Sequence, residues 1–171
     1  MESTQIRYLI TMTDVPFKIN YNGEWFYHET LINRKSIIKL FATILELDQD
    51  GSYHLRTPVE DCLVKVEDVP FIITSFKLIN NKKGLKSFLF KTNIDQKIEL
   101  GPSHPLWMKK LKKSKELIPY VFFEKGISAR VSRSVYYDLV DFIEIKKQKN
   151  NIIKGIISNN VFFPLDRESF Y

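Results

Sequence analysis

Residues 17–28 read Phe17-Lys18-Ile19-Asn20-Tyr21-Asn22-Gly23-Glu24-Trp25-Phe26-Tyr27-His28. Asn-Gly between two apolar, aromatic runs is the strongest short-range hairpin signal, because both central residues of the tight turn tolerate positive φ. The stretch predicts strands over 17–21 and 24–28. Leu31-Ile32-Asn33 follows, and Asn33 is placed to cap a helix over 34–45, in which Ile37, Ile38, Phe41, Ile44 and Leu45 share one stripe. The same succession returns later in the chain. Residues 119–124 and 127–131 form a hairpin about Lys125-Gly126, and Ser132 caps a helix over 133–145. A shift of 99 residues lays Asn33 on Ser132, Arg34 on Arg133, Leu40 on Leu139 and Ile44 on Ile143. Further strands are expected over 53–56, 62–66, 71–79, 85–92, 152–157 and 161–163, with a turn-rich stretch over 93–106. The fold class is therefore α+β: two related halves, a duplication, each a small antiparallel sheet plus one helix. Val69-Pro70 is the seam. The expected organisation is a lead-in over 1–13, an N-terminal α+β domain over 14–69, a C-terminal α+β domain over 70–165 and a tail over 166–171.

Composition bounds the function classes. The chain has 171 residues, 44% apolar and 27% charged, the balance of a globular protein that needs no staple. Its single cysteine, Cys62, excludes an intrachain disulfide and alternates with Val64 and Val66, the setting of a packed thiol rather than a reactive one. No apolar run approaches the roughly 18 residues of a membrane helix. Met1-Glu2 opens with an acid where a signal peptide has a base, so no membrane association and a cytoplasmic location are expected.

The net charge of +6 is uneven: residues 1–81 carry 8 basic against 11 acidic side chains, residues 82–171 carry 18 against 9. The excess concentrates at Lys109, Lys110, Lys112, Lys113 and Lys115, with smaller groups at Lys82, Lys83 and Lys86 and at Lys146, Lys147 and Lys149. Of the 26 basic residues 20 are Lys, beside 20 Ile and 10 Asn, which is the imprint of A/T-rich codons. Specific phosphate and base recognition favours Arg. The charge therefore does not argue for a nucleic-acid polymer as partner, although a protein or RNA interaction face at Lys109–Lys115 is an alternative reading.

The chemistry-bearing patterns are sparse. His28, His54 and His104 stand in no metal-ligand spacing, no phosphate-cradling glycine loop or nucleophile elbow occurs, and no metal or other cofactor is implied. Glu60, Asp68 and His104 could supply acid and base groups, but no spacing identifies a reaction, so the sequence argues against an enzyme more than for one. Gly101-Pro102-Ser103-His104-Pro105 is the most unusual stretch: its prolines fix backbone around a Ser and a His, either to present His104 or to lock a long connection. Arg133 at a helix start opposes the helix dipole and calls for a compensating carboxylate, such as Asp68, or an anionic ligand.

Several strings carry a resemblance. Gly23-Glu24-Trp25-Phe26-Tyr27 with Arg34, Thr57-Pro58-Val59-Glu60, Val66-Glu67-Asp68-Val69-Pro70-Phe71, Thr92-Asn93 with Asp95, Gly101-Pro102 with His104-Pro105-Leu106, Pro119-Tyr120-Val121, and Ser132-Arg133 leading to Tyr137-Asp138-Leu139-Val140 resemble, in that order, a bacterial domain-of-unknown-function family, number 1285. The likeness runs from about residue 17 to residue 165. Ser134 stands where the family commonly has proline. The resemblance implies a duplicated α+β fold whose second domain is superficially like a pleckstrin-homology barrel, with a small-ligand site between the domains and a role in signalling. On that basis the expected ligand-binding residues are Thr57, Glu60, Asp68, Thr92, Asn93, His104, Tyr120, Arg133 and Tyr137, and the expected ligand is small and anionic or nucleotide-like. Arg133 would meet its charge, Thr92 and Asn93 would hydrogen-bond it, and Tyr120 or Tyr137 would stack on a base. The competing reading has Arg133 paired with Asp68 or Glu60, the polar set joining the domains. Oligomeric state is open.

Overall fold

The computed structural model describes residues 15–112, 114–148 and 151–169; the expected lead-in over 1–13, Lys113 and Lys149 lie outside them. Among the described residues the chain is mostly β, with fifteen strands in three sheets and two short helices, one accompanying each large sheet, so the sheets are larger than the expected small ones. Strands β1 (Phe17–Ile19), β2 (Trp25–Tyr27), β3 (Thr30–Leu31), β4 (Leu45–Leu47), β5 (Tyr53–Arg56) and β6 (Asp61–Val66) form the first sheet, with α1 (Lys35–Thr43) between β3 and β4. Strands β7 (Phe71–Asn80), β8 (Lys86–Thr92), β9 (Lys97–Glu99), β10 (Leu106–Lys110), β11 (Leu117–Glu124) and β12 (Ile127–Val131) form the second, followed by α2 (Arg133–Val140). A third, three-stranded sheet holds β13 (Glu144–Gln148), β14 (Asn151–Ser158) and β15 (Val161–Pro164).

The two large sheets share one strand order. The first runs β3-β2-β1-β6-β5-β4 and the second, read from the same side, β9-β8-β7-β12-β11-β10. In each, the first and last strands meet in parallel at the centre, Phe17 opposite Val64 and Ala129 opposite Phe71, and every other pair is antiparallel. The sheets are thus not purely antiparallel. The helices occupy different places in the two orders, so the 99-residue helix register of the sequence does not coincide with the strand correspondence.

Local chemistry explains the element ends. At the Asn22-Gly23 turn the Asn20 side chain accepts from the amides of Asn22 and Glu24, both at 3.0 Å, and Gly23 takes φ +74°; Asn20 thereby closes the turn and β1 stops at Ile19. Ser132 caps α2 as expected, its Oγ accepting from Val135 N at 3.4 Å. Asn33 does not cap α1, whose N-cap is Arg34 without a side-chain bond. Both helices end early. Leu45, Glu144 and Ile145, expected in helix, lie in strands because β5 and β14 supply partners for their amides and Leu45 buries in the core. Strands β9 and β10 fall in or just beyond the stretch read as turns.

One apolar core runs through both large sheets and the third, from Ile19 and Trp25 through Phe71, Phe90 and Val121 to Ile156 and Phe163. Cys62 packs partly buried against it. The third sheet is pinned by the β14–β15 turn: Asn159 donates to Leu100 O and Glu99, each at 3.0 Å, and Ser158 to Leu100 O at 2.6 Å. Beyond β15, the Ser169 amide donates to Met108 O and its Oγ accepts from Met108 N, each at 3.0 Å, and the residue covers the outer edge of β10.

Candidate functional site

Three cross-strand registers line up a row on the second sheet: Trp107 opposite Tyr120, Tyr120 opposite Arg130, Arg130 opposite Ile72. Residues directly opposite each other emerge on the same face, so the row presents an aromatic stack, a guanidinium and an aliphatic side chain together. Trp107 and Tyr120 stack at 4.7 Å. Against this row lie the β1–β2 turn of the first sheet and the linker 67–70.

Arg130 joins the halves. Its Nη1 donates to Asp68 Oδ2 at 2.8 Å, its Nη2 to the carbonyl of Tyr21, and its guanidinium lies 3.5 Å from the centre of the Tyr21 ring. The two ionic side chains are 9% and 11% exposed. Tyr120 donates its hydroxyl to the same carboxylate at 3.0 Å, and burial first, the Asp68 charge second, push its phenol pKa well above the usual value. The turn is held from the other side by Glu67, which accepts from Tyr21 N at 2.8 Å and pairs with Lys18 at 2.9 Å; the Lys18 hydrogen bond holds its carboxyl below the usual range. Asn93 completes the joint: its Oδ1 accepts from Ile72 N at 3.1 Å and its Nδ2 donates to Gly23 O at 3.0 Å.

Beside this joint a cleft of about 340 Å³ opens between the Tyr21–Asn22 turn and the start of α2. Ile72, Arg130, Glu116, Ile118, Ser132, Arg133 and Tyr136 line it. Arg133 Nη2 sits 2.9 Å from Glu116 Oε1, and these side chains are 69% and 46% exposed. Burial, then Glu116, raises the Tyr136 phenol. The expected pairing of Arg133 with Asp68 or Glu60 is therefore corrected. Arg130, which the sequence reading passed over, takes Asp68, and Arg133 takes Glu116. The signal for Arg130 was its place in the alternation of residues 127–131, opposite Tyr120 once the hairpin about Lys125-Gly126 is closed.

Both families of signal can now be compared with known proteins. The chain matches the family model for the DUF1285 N-terminal domain, a domain of unknown function, over residues 10–69, and the model for the DUF1285 C-terminal domain, a protein of unknown function, over residues 70–165. It belongs to the DUF1285 family. Two solved structures agree. A DUF1285 family protein from Silicibacter pomeroyi DSS-3 is 30% identical with a TM-score of 0.78, the match covering 89% of this chain and 80% of that one. One from Shewanella baltica OS155 is also 30% identical, with a TM-score of 0.58 over 74% of this chain and 91% of that one. No curated protein matches.

The remaining expected residues of this DUF1285 chain do not converge on the cleft. Thr57 and Glu60 close the β5–β6 turn, Thr57 Oγ1 accepting from Glu60 N at 3.0 Å. Thr92 is buried and accepts from Gln96 N at 3.1 Å within the β8–β9 turn. His104 lies on another face, its Nδ1 3.3 Å from Phe122 O. Tyr137 is exposed on α2 and does not line the cleft beside it. Lys109 and Lys110 are successive residues of β10 and so leave opposite faces, Lys109 lying 5.8 Å over the Tyr120 ring.

A second constellation escaped the sequence reading. Ser52 Oγ is 3.0 Å from His54 Nε2, and His54 Nδ1 is 2.6 Å from Asp61 Oδ1, the order of a hydrolytic triad. Asp50 Oδ1, however, is 2.6 Å from the same Ser52 oxygen and is the nearer acceptor for its one proton. Arg56 ties Asp61, Asp48 and Glu46 together around it. The arrangement is a hydrogen-bonded hairpin edge, not an activated nucleophile. Among the described residues no group of three or more His, Cys, Asp or Glu is placed to hold a metal ion, and no helix is long and apolar enough to cross a membrane.

Proposed function

We propose that this DUF1285 chain binds a small anionic, nucleotide-like ligand in the cleft between its two halves, and that it is a cytoplasmic signalling module in which occupancy of the cleft is coupled to how the halves sit. The observation that carries the reading is the contrast between two arginines. Arg130 is buried, bidentate between Asp68 and Tyr21, and committed to the joint. Arg133 is largely exposed at the start of α2, with one exposed carboxylate for partner. Exposed ion pairs stabilise by about 0–1 kcal/mol, so a phosphate can displace Glu116 from Arg133. The same phosphate would meet the start of α2, where the helix dipole favours negative charge. The half-exposed ring of Tyr21 and that of Tyr136 offer apolar area to a base.

Two further readings rest on the same architecture. The common strand order supports descent of the two halves from one duplicated unit, with β1 corresponding to β7 and β6 to β12. The second half, a bulged sheet followed by a helix, supports the superficial pleckstrin-homology likeness.

The test is a thermal-shift screen of the full chain against mono-, di- and cyclic nucleotides. A ligand at one hundred times its Kd adds about 2.7 kcal/mol to stability, a rise of several degrees. We expect a nucleotide hit that is lost in Arg133→Ala and kept in Glu116→Gln. No hit at millimolar nucleotide, or one that Arg133→Ala leaves unchanged, overturns the reading.

A further inference from the structure

The rigid Gly101-Pro102-Ser103-His104 stretch takes no part in the cleft at α2, yet it is built with care. Gly101 and His104 close a turn on each other with reciprocal backbone bonds of 3.3 and 3.1 Å. A Cβ on Gly101 would stand 2.8 Å from Asn159 Nδ2, so the turn is pressed against the β14–β15 turn. This turn forms one side of a second, open cleft of about 780 Å³; Lys82 and Lys83 of the β7–β8 turn and Lys97 of β9 also line it. Such a volume is that of a small-molecule site.

Its polar groups are of two kinds. Three ammonium groups line it, two from the β7–β8 turn and one from β9, and Lys82, Lys83 and Lys97 are all exposed. One carboxylate also lines the cleft, Glu99, held by Asn159 Nδ2 at 3.0 Å, and this hydrogen bond keeps its carboxyl below the ordinary range. Asn159 is itself held, donating to Ser87 Oγ and Leu100 O and accepting from Asn81. The Glu99 carboxylate is thus a preoriented acceptor. His104 adds a second acceptor: the contact of its Nδ1 with the Phe122 carbonyl is a hydrogen bond only when Nδ1 carries the proton, which leaves Nε2 as the ring's other polar atom.

We propose that this cleft is a binding site for a phosphorylated polyol, such as a sugar phosphate, distinct from the site at α2. The lysines take the phosphate, while Glu99 and His104 accept from its hydroxyl groups. A bare anion uses only half of the site, because Glu99 repels it; a ligand carrying both phosphate and hydroxyl donors satisfies both kinds of group. Leu85 and Leu89 supply an apolar wall for the carbon chain.

The experiment is an amide NMR titration of the full chain with ribose 5-phosphate, with inorganic phosphate as the comparison probe. We expect saturable shifts confined to residues 81–85, 97–99 and 101–104, and tighter binding of ribose 5-phosphate than of phosphate. The double substitution Lys82→Gln with Lys83→Gln should weaken ribose 5-phosphate at least tenfold while preserving the spectrum, since both side chains are exposed. Glu99→Gln should narrow the difference between the two probes. Arg133→Ala should change neither affinity, which separates this site from the one at α2. Absence of shifts in these segments, unchanged affinity in the double variant, or loss of binding in Arg133→Ala overturns the proposal.

Discussion

Replacing Arg130 tests the joint between the halves directly. Arg130→Ala removes a buried ion pair, a hydrogen bond to the Tyr21 carbonyl and a cation–ring contact in one step. Breaking a buried pair from one side costs about 3–5 kcal/mol, because the partner charge is left without compensation. Among the described residues, that partner, Asp68, then retains the Tyr120 hydroxyl as its hydrogen-bond donor. A chain of 171 residues, at an unfolding entropy of about 2.1 cal/mol/K per residue, loses about 0.36 kcal/mol of stability per degree near its Tm, so the expected drop is roughly 8–14 °C. Asp68→Ala should cost a similar amount, leaving Arg130 and Tyr120 without their shared acceptor. The double variant should be much less unstable than the sum of the singles, since each single exposes the other's orphan, with a coupling of at least about 2 kcal/mol. Calorimetry of the four proteins, checked by urea unfolding, measures this cycle. Additivity within about 0.5 kcal/mol, or a single-variant drop below about 2 °C, would refute the assignment of Arg130 as the joint.

Gly23→Ala should destabilise by about 1–2 kcal/mol from its left-handed backbone alone, and by more because the new Cβ would stand 2.8 Å from both Asn93 Nδ2 and Ile72 Cγ1; urea unfolding checks it, with Gly84→Ala, which also has positive φ but open space, as the control for strain without contact. Asp95, on which Lys91, Lys35 and Lys39 converge at 2.8–3.0 Å, has its carboxyl well below the usual range through these hydrogen bonds; its stabilisation is present above the unfolded carboxyl pKa and is lost as pH falls through the depressed folded value. Asp95→Asn, which suits the positive φ there, should lower the Tm in low salt and not in molar salt, read by circular dichroism. The Tyr53 phenol is pushed up by burial, and then by Asp68, to about 12 from 10.0. Its contribution is complete below pH 10 and is lost as pH rises toward 12, so Tyr53→Phe should flatten the alkaline fall in stability between those values.

The elements that were legible are those whose signals act within a few residues. Asn22-Gly23 and Lys125-Gly126 turn the chain because Gly23 and Gly126 take φ +74° and +78°, and Ser132 starts α2 because its hydroxyl reaches Val135 N. The overlong helices show where that logic ends. Leu45, Glu144 and Ile145 fall within the helices that local spacing predicts, and only the partners β5 and β14, several residues further on, convert them to strands. The candidate site was less legible than the fold. Asp68 and Tyr120 do meet, but His104, Thr57 and Glu60 share a site only by their place in the family strings, and the structure sets them in separate turns.

The sequence by itself determined the hairpins, the α2 cap and the DUF1285 strings, because φ preferences, capping and motif order are properties of neighbouring residues. The tertiary structure alone decided which arginine is structural and which faces the cleft. That choice depends on β12 lying in parallel beside β7, which sets Arg130 opposite Ile72 and beneath Tyr21, whereas Arg133, three residues on, has left the strand for α2. Sheet order brings Tyr21, Asp68 and Arg130 together across 109 positions of chain, and no local preference encodes a pairing at that distance.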